Sequence, residues 1–207
     1  MIKKLAIIGV GLIGGSLALA LKKAGLVEQV TGYSRSAAAR DEALALGIID
    51  NAADSLKEAV ADADMVFVAV PMGAMQTVFE QMAPHLKSQA IVTDAGSAKH
   101  QVVEAARRAL GDKFDRFVPG HPIAGTEKSG PSAAFAELYQ QHRVVLTPVA
   151  ETDKNALEQV RQMWQQAGAD VFDMEVEHHD VVLAATSHLP HVLAFNLVGM
   201  LSKRDDW

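Results

Sequence analysis

Cysteine is absent from the 207 residues, so thiol catalysis, disulfide staples, cysteine redox chemistry and zinc sites built on thiolates are all excluded. The absence leaves the compartment undecided, and cytoplasm stands as the default. An excess of positive charge is also missing: 19 basic against 25 acidic side chains give a net charge of −6. That balance argues against a surface that reads nucleic-acid backbone. Apolar runs are short or interrupted, so no membrane span is expected. The opening MIKKLAIIGVG, with its glycines, fits a first strand better than a signal peptide. A chain of this length buries roughly 70% of its unfolded surface and needs no covalent staple.

What is present is a rhythm. Lys3 to Ile8, Val30 to Tyr33, Met65 to Val70 and Ala90 to Thr93 are short apolar strand candidates. Helical patterns lie between them from about Gly14 to Ala24, after Ser36, and from Gln76 to Met82; Gln101 to Leu110 and a short strand Arg116 to Pro119 continue the series. This alternation predicts an α/β fold: a Rossmann-like, doubly wound, mostly parallel sheet, followed by the beginning of a helical domain. His121 to Gly130 reads as a polar, glycine-rich loop, with further strands at Arg143 to Thr147 and Ala169 to Phe172. Leu157, Val160, Met163, Trp164 and Ala167 recur at helical spacing and predict an amphipathic helix covering the sheet. From Glu175 one long helix is expected through Ser187, with Pro190 marking a kink or restart. The expected division is a dinucleotide-binding and catalytic domain over 1–174 and the start of a helical dimerisation and substrate domain over 175–207. The apolar Leu193, Ala194, Leu197, Val198 and Leu201 want cover, and so few residues follow Glu175 that this second part is expected to be incomplete or dependent on another chain.

The run Gly9, Val10, Gly11, Leu12, Ile13, Gly14 has GxGxxG spacing directly after a strand and at the start of a helix. There Gly9 makes the tight turn, Gly11 lets a pyrophosphate approach the backbone, and Gly14 permits close helix and sheet packing, with Leu12 and Ile13 in the turn that faces the phosphates. Ser16 is a further candidate phosphate donor. The end of the second strand, where a carboxylate would hold the adenosine ribose of NAD, reads Gly32, Tyr33, Ser34, Arg35, Ser36. The hydroxyls of Ser34 and Ser36 and the guanidinium of Arg35 favour NADP, with NAD as the alternative.

Chemistry-bearing residues cluster in two loops and near the end of the chain. In Asp94 to Lys99, Ser97 is placed to orient a hydroxyl or the nicotinamide region, Lys99 holds an anion or extends into water, and Asp94 braces or caps the loop. His121 is an acid or base candidate whose near-neutral pKa suits proton removal from an alcohol, with a structural hydrogen bond as the other reading. Glu127 and Lys128 form a gating or orienting pair, or a surface turn. His188 and His191 bracket Leu189 and Pro190, but two histidines do not specify a metal site and none is expected; the nearby His178, His179 and Asp180 read as a helix cap. His85, His100 and His142 have no comparable context.

The phrases GVGLIGGSLA at 9–18, TDAGSAK at 93–99, GHPIAGTEKSG at 120–130, VVLTP at 144–148 and SHLPH at 187–191 carry a resemblance over essentially the whole chain. In that order they resemble the prephenate and arogenate dehydrogenase family of tyrosine biosynthesis. The resemblance implies oxidation of a cyclohexadienol by NADP or NAD with decarboxylation: prephenate gives 4-hydroxyphenylpyruvate, and arogenate gives tyrosine. It implies that His121 is the catalytic histidine at the substrate ring hydroxyl and that Ser97 assists orientation. It further implies that His188 binds substrate near the nicotinamide, His191 near the substrate side chain, and Glu127 in the cleft, with a homodimer in the complete protein. The family continues into a glycine-rich segment whose arginine holds the substrate carboxylate; Arg204, in a KRDDW tail, lacks that context and is not given the role. Two other readings stand beside this one: a different Rossmann hydroxyacid or imine oxidoreductase, which the GHPIAGTEKSG loop argues against, and a nonenzymatic NADP-binding sensor or partner domain.

Overall fold

A computed structural model describes residues 1–203; Arg204 and the rest of the tail lie outside the described residues. The first sheet is built from β1 (Ile2–Ile8), β2 (Val27–Tyr33), β3 (Asn51–Ala52), β4 (Met65–Val68), β5 (Ile91–Asp94) and β6 (Phe117–Val118). All neighbours are parallel, in the order β3-β2-β1-β4-β5-β6. Side chains along a strand alternate between faces, and β1 shows what this does when both faces are covered. Leu5 and Ile7 enter one buried cluster while Ala6 and Ile8 enter the other. The central strand β4 divides likewise, Met65 and Phe67 to one side and Val66 and Val68 to the other, which explains the uninterrupted apolar runs Leu5 to Ile8 and Met65 to Val68.

Helices α1 (Leu12–Lys23), α2 (Ala37–Ala45), α3 (Leu56–Val60), α4 (Met75–Met82) and α5 (Lys99–Leu110) connect these strands. Strand β3 and helix α3 go beyond the expected elements; both are too short to carry a periodic signal. Ser55 starts α3 by accepting the Glu58 N–H at 3.1 Å.

The expected parallel sheet ends at β6, and a smaller second sheet follows it. Pro119, which has no N–H for a ladder, separates β6 from β7 (Gly120–Ile123), and β7 belongs to a second sheet with β8 (Arg143–Leu146) and β9 (Asp170–Asp173). Strand β7 runs antiparallel to β8, and β8 parallel to β9. The stretch from His121 is therefore not loop throughout: His121 sits on β7 opposite Val145. Between the sheets lies α6 (Lys154–Gln166), capped by Asp153, which accepts the Ala156 N–H at 2.8 Å. Its Trp164 is fully buried, edge-on to Phe67 and Tyr139 at 5.5 and 4.9 Å between ring centroids.

The C-terminal segment comprises α7 (Val176–Leu183), one turn of π-helix at Ala184–His188, and α8 (Leu189–Leu201). Pro190 lies in the first turn of α8, where its missing N–H is tolerated, and the π turn immediately before it absorbs the change of register. Joined, these elements make a helix of 26 residues, long and apolar enough by length and composition to cross a membrane, a continuity the interrupted sequence pattern does not convey. Along α8 the apolar side chains are exposed, Phe195 to 77%.

Candidate active site

The glycine turn is shaped by contacts no other residue tolerates. Gly9 has φ of 102°, and a Cβ there would fall 2.3 Å from the Ala69 carbonyl oxygen; one at Gly14 would fall 2.2 Å from the Gly9 carbonyl oxygen. At Gly11 a Cβ would meet nothing within 4 Å, so the space beside the N-terminus of α1 is open. That helix start has no side-chain cap and no acidic residue in its first turn, the setting in which free N–H groups and the helix dipole receive an anion. A cleft of about 240 Å³ continues past Gly9 and Gly11 to Tyr33, Ser34 and Arg35. These residues fit a dinucleotide: open backbone for the pyrophosphate and a cation with hydroxyls, rather than a carboxylate, at the end of β2.

The remaining candidates of that region are placed differently. Leu12 is buried in the core and Ile13 packs on it partly buried. Ser36 caps α2 by accepting the Ala39 N–H at 3.3 Å. Ser16 is corrected: it is fully buried and accepts the Phe135 N–H at 3.0 Å, so it does not face a phosphate. Tyr139 donates to the Ile13 carbonyl at 2.6 Å, so the segment from Phe135 to Tyr139 is tied to α1 at both ends, and burial pushes the Tyr139 phenol well above the ordinary tyrosine range. Arg40, not singled out from the sequence, donates to the Ser34 carbonyl at 2.7 Å and to Asp54 at 2.8 Å, fixing the backbone of the cation-bearing loop.

Lys99 neither reaches water nor holds a free anion, which corrects both readings of it. Its ammonium is fully buried and donates to Asp94 Oδ2 at 2.6 Å, the Gly96 carbonyl at 3.0 Å and the Gly120 carbonyl at 2.7 Å. Asp94 in turn accepts the Gly96 N–H at 2.7 Å and the Gly120 N–H at 3.1 Å, so it braces the loop as expected. This buried pair clips the end of β5 to the start of β7. It sets the half-buried Ser97, on the loop, and His121, on the strand, relative to one another.

His121 lines a cleft of about 370 Å³ together with His142, Ser187 and His191. Its Nδ1 lies 2.9 Å from His179 Nε2, and His179 Nδ1 lies 2.8 Å from Asp180 Oδ1. Burial, aided by the nearby Lys99 ammonium, pushes the His121 pKa down to about 3, so the ring is neutral at physiological pH. Charge on the half-buried His188 acts in the same direction, which puts His188 within electrostatic reach of His121. His179 is fully buried, and burial lowers its pKa as well. Asp180 does cap a helix, but α5 rather than its own: it accepts the Lys99 N–H at 2.7 Å and the His100 N–H at 2.9 Å. These hydrogen bonds, with that from His179, outweigh burial and hold its carboxyl below the usual range. Glu127 and Lys128 are exposed, and neither lines this cleft. The role of His179 is missed from the sequence, although its spacing from Val176 and Leu183 puts it on the buried stripe of α7. His142 comes to the cleft from the start of β8, with no sequence signal.

Residues 17–173 match the prephenate dehydrogenase nucleotide-binding domain, and residues 175–206 match the prephenate dehydrogenase dimerization domain. A cyclohexadienyl dehydrogenase of Zymomonas mobilis is 46% identical over 97% of this chain, which spans 68% of that protein. The prephenate dehydrogenase of Bacillus subtilis is 39% identical over 92% of this chain, which spans 51% of it. Among solved structures, prephenate dehydrogenase from Aquifex aeolicus in complex with hydroxyphenyl propionate and NAD+ superposes with a TM-score of 0.91 at 37% identity, covering 97% of this chain and 70% of that one. On its fold, its motifs and these matches, the chain belongs to the prephenate dehydrogenase family.

Proposed function

We propose that the chain carries the nucleotide-binding and acid–base part of an enzyme that oxidatively decarboxylates prephenate to 4-hydroxyphenylpyruvate, with NADP preferred and NAD the alternative. The observation that carries this reading is His121, neutral, lining a cleft and held on a strand that the Lys99–Asp94 pair clips to the loop bearing Ser97. The missing carboxylate at the end of β2, together with Arg35 in the cleft there, supports the NADP preference. A bound nicotinamide dinucleotide supplies the hydride acceptor. As hydride departs from the carbinol carbon the hydroxyl becomes strongly acidic, so even a weakly basic imidazole takes up its proton. Carbon dioxide then leaves with recovery of aromaticity, and the phenolate oxygen regains that proton from His121, so the proton balance closes without an external base. Ser97 orients the hydroxyl, His188 is assigned to the substrate near the nicotinamide and His191 to its side chain, and Glu127, outside the cleft that His121 lines, is assigned to substrate binding or gating. Arogenate is the alternative substrate, with tyrosine as product.

The exposed apolar side of α8 is assigned to contact with a second copy in a homodimer, and the enzyme to the cytoplasm. The test is formation of reduced cofactor by the purified chain with prephenate or arogenate, each with NADP or NAD, alongside cofactor binding. Prephenate-dependent NADPH formation is expected. Cofactor binding with no turnover of either substrate would overturn the enzymatic reading of this chain in favour of a binding domain.

A further inference from the structure

We infer that His179 and Asp180 are positioning residues that hold His121 in its Nδ1–H tautomer, leaving Nε2 as the lone pair that receives a proton from a substrate hydroxyl. This deepens the proposed function and rests on it for the identity of the substrate. The argument runs inward from the carboxylate. Both oxygens of Asp180 already accept backbone N–H groups, Oδ1 from Lys99 and Oδ2 from His100. An ionised carboxylate has no proton to give, so the His179 Nδ1 at 2.8 Å from Oδ1 is the protonated one. A neutral imidazole carries a single N–H, which leaves His179 Nε2 an acceptor. The His121 Nδ1 at 2.9 Å from it is then the donor, and the remaining ring nitrogen of His121 is unprotonated.

Each element of this chain is fixed from outside. Asp180 is pinned by the N-terminus of α5, where Ala98 offers no side-chain cap. His179 is buried on α7 between Val176 and Leu183, and His121 is paired in β7 with Val145. The imidazole rings meet edge to face, 5.1 Å between centroids and 67° between planes, a geometry that aims one nitrogen of each at the other. Proton-accepting catalysis by histidine depends on which nitrogen is free, and a neighbour that sets the tautomer acts on rate without touching substrate.

Nitrogen-15 NMR of the ring nitrogens in the labelled chain at neutral pH tests this directly and needs no turnover. The expected result is a protonated Nδ1 and an unprotonated Nε2 on His121; protonation on Nε2 overturns the inference. Two substitutions add a kinetic readout with prephenate and NADP. His179→Phe removes the acceptor and should lower kcat about 100-fold or more with little change in KM, a loss of the size seen when an acid–base group is misplaced. His179→Gln keeps an oxygen near the position of Nε2 and should retain activity within about tenfold of the unsubstituted chain. Equal losses in the two variants, or no loss in His179→Phe, overturn the inference. If the unsubstituted chain turns over no cyclohexadienol, the proposed function fails while the NMR tautomer still decides this one.

Discussion

Replacing Lys99 with methionine isolates the clip between the loop of Ser97 and the strand of His121. The substitution keeps much of the side-chain volume but removes three hydrogen bonds, to Asp94 Oδ2, the Gly96 carbonyl and the Gly120 carbonyl. It also leaves the Asp94 carboxylate fully buried with only the Gly96 and Gly120 N–H groups for partners. Breaking one side of a buried ion pair costs about 3–5 kcal/mol. For a chain near 200 residues each kcal/mol lowers Tm by about 2–4 °C, so a drop of roughly 6–20 °C is expected. Adding Asp94→Asn removes the stranded charge while keeping an acceptor for the backbone, and the double variant should regain at least about 1 kcal/mol over Lys99→Met alone. Urea unfolding of the single and double variants measures both. A loss below about 1 kcal/mol in Lys99→Met, or simple additivity of the two substitutions, would refute the assignment of the pair as a structural clip.

Gly11→Ala should leave thermal stability nearly unchanged, because its Cβ would meet open space, yet weaken dinucleotide binding at least about tenfold by filling the approach to the backbone; calorimetry of cofactor binding beside a thermal melt separates the two. Arg35→Ala should weaken NADP by about tenfold or more while barely affecting NAD, since one charge-assisted hydrogen bond is worth about 1.5–3 kcal/mol; equal weakening of both cofactors would count against contact with a 2′-phosphate. His121, with a folded pKa of about 3 against 6.5 unfolded, is neutral in the fold while the unfolded chain takes up a proton. Its contribution is therefore intact above about pH 6.5 and is lost as pH falls toward 3. Lys99, His179 and His188 oppose protonation there and Asp180 favours it. The ionised Asp180 contribution, its carboxyl held below the usual range, is also lost as pH falls below the ordinary aspartate range and acts in the same direction. Unfolding midpoints for His121→Asn should fall less steeply over that acid range than those of the unsubstituted chain.

The parallel sheet was legible because strand segments buried on both faces must be apolar, and Leu5 to Ile8 of β1 and the whole of β4 are. The glycine fingerprint was legible because its spacing records steric necessity: at Gly9 and Gly14 a methyl group collides with backbone. The departure into a second sheet was not, since β7 is four residues containing glycine, histidine and proline, and only its partner β8 makes it a strand. Lys99 was misread because a lysine in a polar loop usually points outward, and nothing local announces that Asp94 and two carbonyls across the loop have closed around it. His121 could be found from its motif, while the partner that sets its ring came from 58 positions away along the chain. Ser97 and Glu127 show the complementary limit. Their motifs mark them equally, but the fold holds the former on a braced loop and leaves the latter exposed, outside the cleft of His121.

The reach of Asp180 across 80 residues to the first turn of α5 imposes an order on assembly. The residues lining the dinucleotide cradle all precede position 80 and can be arranged as soon as the early strands and helices pack. The histidine relay cannot exist until α7 has been synthesised and has docked. During synthesis, where early segments fold first, the emerging polypeptide acquires the means to hold a dinucleotide well before it can move a proton, and competence for chemistry waits until α7 has left the ribosome and docked.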